Sequence, residues 1–274
     1  MGPAPRIRQS FQTLASLIML SLLVSCAATP RNLDLSDTVT VAEIDQRGYD
    51  TLLQKNVHGG FIDYPGFCGS TEFSSYLQAI RRADLSGASP NETISFLINA
   101  YNAWTIQSIL EGDSPATLLG RYEFFLRNRH PVAGEEISLW DLEHERLRPL
   151  GDPRIHFAIV CASSSCPKLE SRAFDAQSLS SRLDAATRNF INDPERNHFY
   201  PKESVAEISS IFKWYEEDFI STDSTLADYI ARYVDEPTVA DGLRDGHYEI
   251  RFLAYDWGLN GLPPSSKGHC LQSK

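Results

Sequence analysis

Two thiols, Cys161 and Cys166, stand five residues apart in RIHFAIVCASSSCPKL (Arg154 to Leu169), at the end of an apolar run and on either side of four small residues. A thiol delivered to the end of a buried segment acts as a nucleophile when a histidine takes its proton and a third polar group orients the imidazole. The same thiols across so short a loop also suit a disulfide. The sequence leaves both open. On the nucleophile reading, backbone N–H groups of the Ala162 to Ser165 turn form an oxyanion site, with Ser165 a candidate binding residue. A C-x4-C spacing unaccompanied by H-x3-H or HExxH is not zinc-like, so neither a metal nor a cofactor is expected.

The partners a nucleophile needs come from other elements. Asn99 and Asn102 lie three residues apart in ISFLINAYNAWTI, which puts both amides on one helical face. Buried there, they either lock neighbouring backbone or orient an imidazole, and Asn99 is also a candidate binding residue. His144 follows Glu143 in LWDLEHERLR and falls near the edge of an apolar face made by Leu139, Leu142 and Leu147. It is therefore either the general base for Cys161, with Asn102 or Glu143 as orienter, or a structural histidine. His156 precedes Cys161 by an odd number of residues, so in a regular strand it points to the opposite face. That argues against it as the direct base and leaves it a binding candidate.

Helical and extended periodicities place these residues. The clearest helix runs from Asn91 to Leu110, after Pro90 and before Gly112, with an apolar stripe wide enough for a buried helix. Ser74 to Ala83, Leu139 to Leu147, Asp175 to Ile191 and Thr225 to Val234 also read as helices. Arg154 to Cys161 and Tyr248 to Tyr255 read as strands, Glu136 to Leu139 as a short one, and Val57 to Tyr64 as an extended or turn segment. Trp214, Tyr215, Phe219, Tyr255 and Trp257 read as packing residues, with Asp218 and Asp256 bonding backbone among them. The expected class is α+β: a single helix-rich domain with a small β-sheet, including Arg154 to Cys161, packed on the long buried helix.

At the N-terminus, Arg6 and Arg8 precede an apolar run from Leu14 to Val24, too short to span a bilayer, and Leu23-Val24-Ser25-Cys26 has the form of a lipobox. Residues 1–25 are thus expected to be a lipoprotein signal peptide. Cys26 then becomes a lipidated N-terminus bearing an N-acyl chain such as palmitate, anchored at the periplasmic side of the cell envelope. Ala28 favours the outer membrane. Loss of the two arginines takes the formal charge from −11 to −13, which disfavours nucleic acid as a partner. The expected partners are the membrane, through Cys26, and an envelope protein or small substrate. Residues 26–45 read as a tether, 46–265 as the domain and 266–274 as a polar tail, with Cys270 exposed in it. Four cysteines remain in an oxidising compartment, where three full pairings are possible.

FLINAYNAWTI, LEHERLR, HFAIVCASSSCP, IFKWYEEDF and YDWGLN occur together and in the order found in the bacterial DUF547 family, a domain of unknown function, which the chain resembles from Gly60 to Leu262. Plant relatives look as though they keep the first cysteine and carry serine for the second. The resemblance therefore implies Cys161 and His144 as the functional pair and a disulfide that is not the family's common purpose. The function expected is a thiol-dependent hydrolase or acyl transferase acting on a peptide-like or ester substrate. The competing class is a non-catalytic binding or assembly module with a structural Cys161–Cys166 bridge.

Overall fold

The computed structural model describes residues 31–32, 37–220 and 224–271. Residues 1–25, read from sequence as a signal peptide, and Cys26 lie outside the described residues. Contacts divide the chain after Arg31, and the fold below is that of the unit beginning at Asn32. It is a mixture of helices and small sheets, an α+β arrangement. Among the described residues no helix is long and apolar enough to cross a membrane.

The helix Pro90–Glu111 starts where Ser89 accepts from the Glu92 N–H and the Glu92 carboxylate accepts in return from the Ser89 N–H, with proline at the first helical position. It stops at Gly112, whose φ of 102° is a left-handed conformation that suits a residue without Cβ. Small and apolar residues on nearly all sides let it be buried around most of its circumference. It packs against the helix Thr71–Arg81, the 3-10 turn Tyr64–Phe67 and the π-helical turn Leu142–Leu147, which continues the short helix Leu139–Asp141. These elements form the first hydrophobic core.

A second core is built on Leu179–Ile191, Ile211–Trp214, Glu216–Phe219, Leu226–Ala231 and Pro237–Arg244, with the rings of Phe157 and Phe212 each in contact with those of Phe190 and Phe219 and with each other. Beside it Val205–Ile208 pairs parallel with Glu249–Phe252 and antiparallel with His198–Tyr200. The remaining pairings described are two or three residues long. Gly261–Leu262 runs parallel to Phe61–Asp63, which turns back on Val57–His58, and His130–Val132 pairs with Glu135–Ile137. At Gly261 a Cβ would come within 2.0 Å of the Ile62 carbonyl oxygen, so that strand can close on its partner only with glycine there. Within the stretch read as a tether, Val39–Thr40 pairs with Ala83–Asp84.

Two expectations are corrected. Arg154 to Cys161 is not a strand and belongs to no sheet: Pro153–Phe157 is a 3-10 turn, capped by the Asp152 side chain accepting from the Arg154 N–H, and the following residues are irregular. The run is apolar because it lies along the seam between the two cores, with Ile155 and Ile159 in the first and Phe157 in the second. Burial on two sides erases the periodicity that separates a strand from an irregular buried segment. Cys270 is not an exposed thiol but is partly buried in a disulfide with Cys68, and its N–H donates to the Leu110 carbonyl.

Candidate functional site

The irregular seam segment holds its course because the long helix supplies the hydrogen bonds that a neighbouring strand would otherwise provide. Asn102 donates through Nδ2 to the Ala158 carbonyl at 2.9 Å and accepts through Oδ1 from the Val160 N–H at 2.9 Å. Asn99 does the same for Phe174, with both contacts at 2.8 Å. Each amide is buried and bonded to backbone, and neither has a histidine among its hydrogen-bond partners, so Asn102 clamps the seam instead of standing as the expected orienter of His144. Asn102→Ala is expected to destabilise the fold by about 2–4 kcal/mol in urea denaturation, because it strands one buried donor and one buried acceptor and opens a small void.

Beyond Val160 the chain reaches Cys161, which is bonded to Cys166. Ala162, fully buried, has φ of 60°, a left-handed conformation that costs a residue with a Cβ about 1 kcal/mol or more. The turn that follows is stitched to the YDWGLN segment: the Ser164 N–H donates to Gly258, the Ser165 N–H to Asp256, and the Asp256 N–H returns to Ser165 Oγ. Arg196 clasps the same turn through the carbonyls of Ser164 and Cys166. The N–H groups of Ser164 and Ser165 are therefore occupied. They cannot serve as the oxyanion donors that the small residues suggested, and Ser165 holds the turn in place.

Hydroxyls surround the sulfurs. Tyr255 Oη lies 3.0 Å from Cys161 Sγ and 3.3 Å from Cys166 Sγ, Ser163 Oγ lies 3.1 Å from Cys161 Sγ, and the Cys161 N–H points at Cys166 Sγ. Among the described residues no histidine is a hydrogen-bond partner of Cys161.

Both sulfurs nevertheless line a cavity of about 330 Å³ shared with Glu143, His144 and His156. Its remaining walls are largely aromatic, with Trp140, Trp214, Tyr215, Tyr255 and Trp257 prominent. These rings contact one another, Trp214 with Tyr255 at 4.7 Å and with Trp257 at 5.8 Å between centroids. The structure thus brings together Cys161, Cys166, Glu143, His144 and His156, and leaves Asn99, Asn102 and Ser165 as clamps behind them.

His144 stacks on Trp140 with centroids 3.5 Å apart, and its Nδ1 lies 3.1 Å from the Trp140 carbonyl. The carbonyl can only accept, so Nδ1 carries the proton and Nε2 keeps its lone pair. Burial pushes the pKa of His144 down, against the bond to Trp140, which favours the neutral base. Glu143, one residue earlier in the π turn, is buried. Burial pushes its carboxyl up to about 7, with a hydrogen bond to Tyr215 and the charge of Arg148 opposing.

His156 belongs to this cavity, contrary to the opposite-face expectation, which assumed a regular strand. Its Nε2 lies 2.7 Å from Asp218 Oδ2, and its ring stacks on Tyr215 with centroids 4.0 Å apart. Against the upward push of burial, bonds from His156 and from Arg148 hold Asp218 below the usual carboxylate range. Asp218 is thus ionised, and His156 presents its proton through Nε2. Burial pushes the pKa of His156 down, with Asp218 opposing. Sequence reading missed Asp218, Arg148, Trp140 and the cavity-facing role of Tyr215 and Tyr255. The signal was present in IFKWYEEDF, where acids interleave with aromatics, but packing explains such a pattern equally well.

No curated protein and no solved structure matches the chain. The IFKWYEEDF and YDWGLN segments lie outside the stretch that a family model matches, which spans the long helix, the π turn and both thiols. Residues 85–191 match the family described as "Protein of unknown function, DUF547".

Proposed function

We propose that this chain is a lipid-anchored protein of the cell envelope, held through Cys26 on the periplasmic side, and that its DUF547 domain is a thiol-dependent acyl hydrolase or transferase. The observation that carries the reading is convergence: the two sulfurs, a histidine with a free Nε2 and a buried carboxyl line one aromatic-walled cavity. The Cys161–Cys166 disulfide is then the resting form. A dithiol reductant breaks it, becoming a disulfide itself and leaving two protein thiols. Cys161, the less buried of the pair, attacks the carbonyl of an ester or amide as a thiolate, its proton passing by way of Tyr255 and the cavity to His144 Nε2. His144 returns that proton to the leaving alcohol or amine. Water or an acceptor amine then cleaves the thioester and restores the thiol.

A second reading has its own observation. Cys161 is joined to Cys166, and beyond that its side-chain hydrogen-bond neighbours among the described residues are hydroxyls, as suits a structural bridge in a binding or assembly module. Alkylation before and after mild reduction, followed by turnover of a nitrophenyl ester, separates the two. The catalytic reading expects hydrolysis only after reduction, at least about 100-fold slower in Cys161→Ser and in His144→Ala. Equal hydrolysis by wild type and Cys161→Ser, or none in either redox state, sinks it in favour of the module. Incorporation of labelled palmitate, abolished by Cys26→Ser, tests the anchor.

A further inference from the structure

Two fully buried polar atoms in the cavity have no hydrogen-bond partner among the described residues: Glu143 Oε1 and His156 Nδ1. Their side chains are 7% and 1% exposed, and the atoms stand 3.6 Å apart. That separation is beyond hydrogen-bond reach, so they do not satisfy each other. Buried polar groups left without partners are uncommon and call for an occupant.

The occupant's chemistry follows from what the two atoms offer. With its proton on Nε2 facing Asp218, His156 presents a lone pair at Nδ1. A carboxylate oxygen is likewise an acceptor. The charge around them is negative: the Arg148 guanidinium is engaged by both Asp218 and Glu217, so with Glu143 ionised one cation faces three carboxylates. An anion is disfavoured and a donor cation is matched. The surrounding rings, Trp214, Tyr255 and Trp257 among them, wall the cavity with aromatic surface that suits a cation on an alkyl stem.

We propose that this cavity binds the primary ammonium group of an alkylamine or of a lysine side chain, with Glu143 Oε1 and His156 Nδ1 as its acceptors and the aromatic walls around its alkyl stem. The site adds a substrate class to the cavity but does not depend on a free thiol. The amine is bound with the disulfide intact, so a failure of the thiol chemistry leaves this binding in place, and the reverse.

Glu143 is faced by Tyr101 from the long helix, His156 from the seam segment, Tyr215 and Asp218 from the stretch Ile211 to Phe219, Arg148 from its own side, and Tyr255 from the C-terminal segment. A bound ammonium favours the ionised carboxylate among these neighbours. Binding is therefore accompanied by release of the Glu143 proton below neutrality, and affinity rises as pH rises through about 7.

Calorimetry on the full-length, oxidised protein in detergent tests this with n-butylamine, its isostere n-butanol, and a lysine with both backbone ends blocked. At pH of about 8 the amine is expected to bind at least about 10-fold more tightly than the alcohol, and Glu143→Gln to shrink that preference below about 3-fold while the alcohol still binds. Tighter binding of the blocked lysine than of butylamine assigns the site to a peptide, and the reverse to a free amine. The proposal is overturned if alcohol and amine bind alike, if neither binds, or if Glu143→Gln keeps the full preference. Because the variant is isosteric, unchanged near-ultraviolet circular dichroism verifies that it is folded.

Discussion

Cys270→Ser is expected to lower the stability of the folded chain by roughly 3–5 kcal/mol, read as a shift in urea denaturation at neutral pH. The Cys68–Cys270 bond joins residues 202 apart, so in the unfolded state it restrains most of the chain. A chain-entropy model gives about 5 kcal/mol for a loop of that length, an upper value when the unfolded chain retains structure. The native contribution is local: Cys270 ties the C-terminal segment to the end of the long helix, where its N–H meets the Leu110 carbonyl. Reductant should bring the wild type close to the variant and leave the variant itself changed by about 2 kcal/mol, which is what the same model gives for the five-residue Cys161–Cys166 separation. A variant as stable as the oxidised wild type would show that the tail bond contributes nothing to the fold. The two bonds therefore differ in the loop they close, the long one restraining most of the chain and the short one only the turn between Cys161 and Cys166.

Glu143→Gln should be more stable relative to wild type at about pH 8 than at about pH 4, by about 3 kcal/mol. The sign follows from the direction of the shift. The folded carboxyl titrates at about 7 against an ordinary value of 4.5, so between those values the native state keeps a proton that the unfolded state has lost. Stability from this group is fully present below 4.5 and is lost as pH rises to 7. Glutamine keeps the shape and a hydrogen bond near Tyr215 without ever paying the cost of a buried charge. His130 works in the opposite direction. Burial against Trp104 pushes it from 6.5 down to about 4, so its contribution rises with pH over that window, and the wild-type profile is flatter than either group alone would make it. The difference between variant and wild type isolates Glu143. A pH-independent difference would mean that the carboxyl is not desolvated in solution.

The long helix, the α+β class and the polar residues around the thiols were legible from sequence because each rests on local rules. Proline at the helix start, glycine at its end and an uninterrupted apolar stripe determine Pro90–Glu111 wherever it packs. Residue types likewise marked Cys161, Glu143 and His144. Their roles were not local. Asn99 and Asn102 share a face by helical geometry, but whether that face meets an imidazole or a bare backbone depends on what the seam segment does. That segment in turn takes its shape from the amides. The sequence by itself determined which residues could do chemistry and which helix would be buried. Only the tertiary structure decided that Arg154 to Cys161 is an irregular seam, that His156 turns toward Glu143, and that aromatic rings from distant segments enclose them. The reason is physical: two cores meeting along one strand-like run hide its periodicity, and a cavity exists only between elements, where no single segment records it.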